Sequence, residues 1–511
     1  MKLYLLIIFA IAAMIRIYGL DKKFYWIDEV SSSFVITGNW PEKIDDKLTN
    51  SHGKTITAGD VLDALEKDPD FNSSNLLSAL AKRDPQHSPL YFLVAQKWAA
   101  VFGSRAENLR LLASLFGILS LVAFTWLCLE LFKSYFIAVI SSSILALAPF
   151  HILYSQQNRE YSLWFLMICV STALLLAANR KGTRIYWLAY GVSVSVGLYS
   201  FLFFLPFLLA HMLFQIYEWR RSNNPYIKSF IISLSLGLVS FLPWLINILL
   251  SVEKVNNLND WSSKPVSVSI YLQTMALNFS RLFVDFNLQT FRPLPISNAP
   301  ILICIFFVVS LIIMSLAYTT KNLTAGYRVL LVSMFAVPML FLLSMDAVKG
   351  GIHALVGRHL LPTWIAVYLA VGFFVASVLK SPIRLHRYFA GGALGLLFVL
   401  GIQFSWNYLP EKRWWPLKPE NLANASAEIV KSKAEILITS APLETKQFIT
   451  VNYYLDRSFP VLIVPEGLGF IELKGYRKIA VFRPTEDLNN ALSREYLLTK
   501  FNDELWIGER K

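Results

Sequence analysis

Ala299-Pro-Ile-Leu-Ile-Cys-Ile-Phe-Phe-Val-Val-Ser-Leu-Ile-Ile-Met-Ser-Leu-Ala-Tyr318 runs for twenty residues without one charged side chain. At 1.5 Å of rise per residue, a helix of that length is about 30 Å long, the thickness of a bilayer's hydrocarbon core. Ten further apolar runs accompany it, at Leu3–Leu20 and at 107–131, 135–153, 160–178, 185–201, 202–217, 229–250, 327–345, 359–379 and 386–407. Together they predict a polytopic α-helical membrane protein of about eleven spans. The bulk composition agrees. The 511 residues are 55% hydrophobic and only 16% charged, against roughly 25% charged in soluble proteins.

The formal charge of +13 sits largely in short connectors between the runs. There it reads as a topology signal and an attraction for anionic lipid headgroups, not as a nucleic-acid surface. Basic connectors at Asn179–Arg184, at Arg220, Arg221 and Lys228, at Lys321 and Arg328, and at Lys380, Arg384 and Arg387 mark one side as cytoplasmic. Counting from them puts the Tyr154–Glu160 connector, the 251–297 loop, the Asp346–Arg358 connector and everything after Tyr408 on the external face. The long polar segment 21–87 joins them if Ser88–Gly103, which carries Gln96 and Lys97, stays at the interface or re-enters. The first run lacks a small-x-small cleavage site before Asp21-Lys22-Lys23, and Arg16 interrupts it, so it reads as a retained span. Cys128, Cys169 and Cys304 all lie inside apolar runs, which leaves the polar segments no disulfide framework.

Beyond the last span, residues 409–511 change character and predict an extracytoplasmic soluble α/β domain beside the transmembrane domain 1–408. Glu435-Ile-Leu-Ile-Thr, Pro460-Val-Leu-Ile-Val, Lys478-Ile-Ala-Val-Phe and Glu504-Leu-Trp-Ile have the make-up of short buried strands. Helical stretches are expected over Leu443–Leu455 and Glu486–Lys500. No glycine-rich phosphate loop opens either one.

Four polar constellations stand out at the ends of apolar runs. Phe24-Tyr-Trp-Ile-Asp28-Glu29 reads either as an interfacial aromatic belt with solvated acids or as a general base raised by partial burial. Asp84-Pro-Gln-His87-Ser-Pro-Leu-Tyr91 reads as a turn, notable because it returns to the membrane at the same face. Tyr154-Ser-Gln156-Gln-Asn-Arg159-Glu160-Tyr161 is either a solvated hairpin with an ion pair or the lining of a cavity. In the second reading Arg159 holds a phosphate and Glu160 orients a hydroxyl or a cation. Gly357-Arg358-His359-Leu-Leu-Pro362 offers an Arg that either snorkels to headgroups or clamps a phosphate. By the charge count all four share one side of the membrane.

An apolar span, then Tyr-Trp-x-Asp-Glu, a long loop and His-x-Pro-Leu-Tyr resemble the GT-C glycosyltransferases in kind and order. So do Asn108-Leu-Arg-Leu-Leu-Ala-Ser-Leu-Phe-Gly, Tyr-Ser-Gln-x-x-Arg-x-Tyr and Arg-x-Leu-Leu-Pro. The branch they are similar to is family 39-like, related to protein mannosyltransferases and lipid A aminoarabinose transferases. The resemblance covers about residues 1–220 and the 358–362 motif, and only loosely the C-terminal domain. It implies a multi-pass protein of the cell inner (plasma) membrane that moves a sugar from a polyprenyl-phosphate donor to a lipid, glycan or protein acceptor hydroxyl.

Asp28 would then be the base, with Glu29 beside it as support or alternative. His87, Tyr91, Tyr154, Gln156, Arg159, Glu160, Arg358 and His359 would contact substrate, and Arg358 would hold the donor phosphate. A divalent cation is not required, though Asp28, Glu29 and Glu160 could hold one. One departure is visible: where many relatives carry a histidine after Tyr199, this chain has Ser200 and Phe201. A transporter or flippase is the competing reading, but no inverted repeat is visible and the polar residues cluster at one face.

Overall fold

In a computed structural model of the chain, residues 2–49, 51–286, 288–295, 297–409, 420–465, 473 and 475–511 are described. The chain divides into two compact units. One comprises Met1–Leu20, Leu77–Tyr91 and Arg110–Pro410; the other comprises Asp21–Leu76, Phe92–Leu109 and Glu411–Lys511.

The first unit is a helical membrane bundle. Every one of the eleven apolar runs is helical, but by length and composition seven helices qualify as full spans, or eight if one bent pair counts as a single span. The run at 135–153 is that pair: Tyr135–Ala146 and Pro149–Ser155 meet at 64°. Pro149 supplies the reason, since a proline has no N–H to continue the ladder. Lys2–Ile17 and Arg184–Ser200 are only 16 and 17 residues long. Phe204–Ser222 ends in Glu218, Arg220 and Arg221. These three fall outside the count of full spans, so eleven crossings are not established.

Burial ranks the spans. The most apolar windows of Tyr161–Lys181 and Gly357–Leu379 are 83% buried, against 28% for Ala299–Asn322, so those two helices form the centre of the bundle. Cys128 and Cys169 are buried between helices, as expected for small apolar side chains.

The second unit is built on a six-stranded sheet of order β1-β3-β2-β4-β6-β5, with β1 Thr55–Thr57, β2 Ile436–Ser440, β3 Pro460–Val464, β4 Lys478–Phe482, β5 Tyr496–Lys500 and β6 Leu505–Arg510. β3, β2 and β4 are parallel and near-continuously apolar, as strands covered on both faces are. β6 and β5 continue the sheet antiparallel. Its core gathers Ile436, Ile438, Leu462, Val464, Ile479, Val481, Leu488, Leu492 and Tyr496.

Two features depart from the pattern read in the sequence. The helix expected over Glu486–Lys500 stops at Leu492, and Tyr496–Lys500 is a strand. Leu488, Leu492 and Tyr496 have helical spacing, yet they reach the same core because the chain reverses between them. The sheet also takes its edge strand β1 from the 21–76 segment, whose sequence places it with the membrane part: Thr57 pairs with Pro460 and Thr55 with Leu462. Leu90–Phe102 is an apolar helix of 13 residues, about 20 Å long and too short to cross a hydrocarbon core.

Candidate active site

Within the bundle, the starts of its two central helices meet. Glu160 is the residue before Tyr161–Lys181, and Arg358 lies in the short turn Gly357–Leu360 that opens Leu361–Leu379. Arg159 and Arg358 both place their guanidinium carbon over the Tyr161 ring, 5.6 and 5.8 Å from its centroid. Helix N-termini carry partial positive charge, so the convergence of two of them with two guanidiniums favours an anion.

Glu160 is the hub. Its Oε1 pairs with His87 Nδ1 at 3.0 Å and with Arg159 Nη2 at 3.3 Å. His87 also lies 3.6 Å from Asp84. Burial alone would raise the Glu160 carboxyl, but the charges of Arg159 and His87 outweigh it and hold it at about 2. For His87, burial works against protonation, while Asp84 and Glu160 raise its pKa above the ordinary value. Tyr91 donates its O–H to Asn158 Oδ1 at 2.8 Å, and Ser88 donates to the carbonyl of Leu198 at 2.8 Å. The first ties the 84–91 segment to the 154–161 turn, and the second ties it to the helix Arg184–Ser200. Six of the residues singled out in the sequence therefore assemble here: His87, Tyr91, Tyr154, Arg159, Glu160 and Arg358, the last hydrogen-bonded to Tyr154.

Gln156 does something else. Fully buried, it donates its amide to the carbonyls of Ile15, Arg16 and Tyr18 at 3.1, 3.2 and 3.1 Å, capping the first span. Its amide nitrogen is thereby engaged in holding the first span, while its buried Oε1 has no hydrogen-bond partner in the protein. His359 packs edge-on against Phe203, 4.9 Å between ring centroids. Several buried polar atoms around the turn have no protein partner: Glu160 Oε2, both amide atoms of Gln157 and His359 Nδ1. Buried polar groups rarely go unmatched, and substrate hydroxyls or water are what satisfies such atoms in a site.

Residues that the sequence did not single out brace the connector that leads to Arg358. Asp346, at the end of Ala325–Lys349, accepts from Tyr271 Oη at 2.7 Å and from the backbone N–H groups of His353 and Ala354 at 2.6 and 2.9 Å, and it pairs with His353 Nδ1 at 2.8 Å. His353 Nε2 in turn meets Ser262 Oγ at 3.1 Å. Trp261, next to that serine, lies under Arg358 with 5.8 Å to its ring centroid. Arg281 is buried beside Asp285 at 3.6 Å. One sequence signal was available for Asp346, a lone carboxylate at the end of an apolar run.

In the second unit, Asp28 and Glu29 sit in the first turn of the helix Ile27–Thr37, where carboxylates complement the helix dipole. Glu29 is fully buried and accepts from the Trp26 N–H at 3.3 Å, a capping contact, while Asp28 is half-buried. Phe24 stacks on Tyr454, Tyr25 packs at a tilt against Tyr453, and Thr450 donates to the carbonyl of Tyr25 at 2.9 Å. The motif is thereby anchored to the C-terminal segment of its own unit. Among the described residues, no group of three or more His, Cys, Asp or Glu is placed to hold a metal ion.

No family model and no curated protein sequence matches the chain. Solved structures do. ArnT from Cupriavidus metallidurans bound to undecaprenyl phosphate matches with a TM-score of 0.51 at 12% identity, over 98% of this chain and 97% of that one. The same protein in the apo state matches with 0.45 at 13% identity, over 83% and 87%. The archaeal oligosaccharyltransferase AglB from Archaeoglobus fulgidus, in complex with an inhibitory peptide and a dolichol-phosphate, matches with 0.45 at 13%, over 99% and 74%. The fold of this chain is the GT-C type, as the order of its motifs implied.

Proposed function

We propose that the chain is a membrane glycosyltransferase that moves a sugar from a polyprenyl-phosphate donor to an acceptor hydroxyl on the extracytoplasmic face. The observation that carries this is the pair of guanidiniums, Arg159 and Arg358, on one tyrosine ring at the meeting of two helix N-termini. Such a site suits a phosphate, and the chain shares the fold of an aminoarabinose transferase solved with undecaprenyl phosphate.

The reaction is a single displacement. Asp28 takes the proton of the acceptor hydroxyl as its oxygen bonds to the anomeric carbon. The bond from that carbon to the phosphate oxygen breaks, and its electron pair stays with the phosphate. Attack opposite the leaving group inverts the anomeric configuration. Arg358 and Arg159 offset the charge that develops on the departing polyprenyl phosphate. Asp28 enters this scheme through its motif, and Glu29 supports it by capping the same helix turn.

Purified full-length protein supplied with radiolabelled polyprenyl-phosphate sugars and a crude acceptor pool should transfer label with inversion. Asp28→Asn should still bind undecaprenyl phosphate while losing roughly a hundredfold or more of the transfer, the range for a general base. Undiminished transfer by Asp28→Asn removes Asp28 as the base. Binding without transfer across the whole pool by the unaltered protein removes the transferase reading and leaves a transporter.

A further inference from the structure

Arg16 is completely buried in the first span, and the proposed chemistry does not use it. A guanidinium inside a bundle must find partners, and these are specific. Its Nη1 donates to the carbonyls of Ala12 and Ala146, both at 3.0 Å. Its Nη2 donates to His151 Nδ1 at 2.7 Å and reaches the Leu145 carbonyl at 3.5 Å. Leu145 and Ala146 are the last residues before the 64° break. A continuous helix would pair the Leu145 carbonyl with the N–H of residue 149, but that residue is proline, so this carbonyl takes the Ala148 N–H at 3.2 Å and Arg16 makes its closer contact to the Ala146 carbonyl beside it. Arg16 thus caps the interrupted helix end with a cation, the charge that end favours.

The direction of the network is fixed. Because Arg16 donates to His151 Nδ1, the imidazole carries its proton on Nε2 and donates it to Ser120 Oγ at 2.8 Å. Ser120 passes its own proton to the Gly117 carbonyl at 2.7 Å. A side chain at Gly117 would collide with Ser155, so the helices touch closely at this point. The return contact comes from Gln156, which caps the carbonyls at the end of the first span.

We propose that Arg16 and Gln156 form a reciprocal clamp: Arg16 closes the broken helix end that leads to the 154–161 turn, and Gln156, from that turn, closes the helix that carries Arg16. The clamp sets the bend and presents Tyr154, Arg159 and Glu160. Both are positioning residues, and their effect on turnover rests on the reading of that turn as a substrate site.

The test uses the full chain in detergent with Arg16→Met and Arg16→Lys. Each is combined with Gln157→Cys as a reporter in a Cys304→Ser background, since Gln157 is fully buried. With Arg16 in place, the thiol introduced by Gln157→Cys should resist maleimide. With Arg16→Met it should label about tenfold faster or more, and the Kd for undecaprenyl phosphate should rise about tenfold, the scale on which losing a supporting partner acts. Arg16→Lys, which still offers a cation to the carbonyls, should recover part of both. Lower thermal stability with unchanged labelling and Kd would make Arg16 merely structural and overturn the clamp. If unaltered protein binds no undecaprenyl phosphate, the transferase reading falls, and the labelling result alone still decides the clamp.

Discussion

Replacing Glu160 with glutamine keeps the shape of the hub and removes its charge. The carboxyl lies at about 2, against 4.5 for a free glutamate. At 1.36 kcal/mol for each pH unit, that gap is worth about 3 kcal/mol of folded-state stability. A second route gives a similar size: removing one partner of a buried ion pair costs roughly 3–5 kcal/mol, because Arg159 is left with its charge.

The sign follows from the direction of each shift. A depressed carboxyl contributes fully above about 4.5, and its contribution fades as pH falls towards 2. His87, shifted upward, contributes fully below about 6.5 and loses that contribution as pH rises through its folded value. The pair is therefore at full strength between about pH 4.5 and 6.5. Thermal unfolding in detergent, followed by tryptophan fluorescence from pH 3 to 9, reads this directly. Glu160→Gln should melt well below the unaltered protein near pH 6, and the two should converge towards pH 3. The alkaline limb should also shrink, since the imidazolium then loses one of its carboxylate partners. Two melting curves that run parallel across the whole range would refute the hub.

Three further outcomes are expected. Arg358→Lys keeps the charge but loses the planar fork over Tyr161 and Trp261, and should weaken undecaprenyl phosphate binding by about tenfold, the worth of 1–2 kcal/mol of such contacts, read by equilibrium binding. Asp346→Asn removes charge-assisted bonds worth about 1.5–3 kcal/mol each and should loosen the turn before Arg358, seen as faster tryptic cleavage after the exposed Lys349. A thiol introduced by Leu497→Cys, 66% exposed in the sheet unit, should label with a membrane-impermeant maleimide from the extracytoplasmic side of intact cells; labelling only after lysis would reverse the proposed topology.

Much of this architecture was legible in the chain because lipid imposes simple rules. Uncharged runs of about twenty residues must be helical there, and all the predicted runs are. β3 and β4 begin and end where their apolar stretches do, at Pro460–Val464 and Lys478–Phe482. The elements that escaped notice depend on long-range partners. β1 is three residues, too short for any periodicity, and exists because β3 lies alongside it. Tyr496 looks like the next turn of a helix because spacing cannot report a chain reversal. In the site, Arg159, Glu160, His87 and Arg358 could be found by asking which polar residues stand where apolar runs end. Asp346, His353 and Trp261 act on Arg358 through folding of the 251–297 and 346–356 segments, and local sequence carries no sign of that. Gln156 was legible as a polar residue in a motif, but not as a cap on a helix more than a hundred residues earlier.

The pairing of Thr57 with Pro460 has a consequence in time. The two residues are 403 positions apart, and at about 5–20 residues per second a ribosome needs roughly 20 to 80 s to travel between them. During that interval the 21–76 segment waits outside its sheet, with most of the membrane bundle still to be inserted. Conversely, a 420–511 fragment made alone would present the outer edge of β3 without its cover, an open template for another chain's strand. The sheet is thus completed only when two segments some four hundred residues apart have both been made.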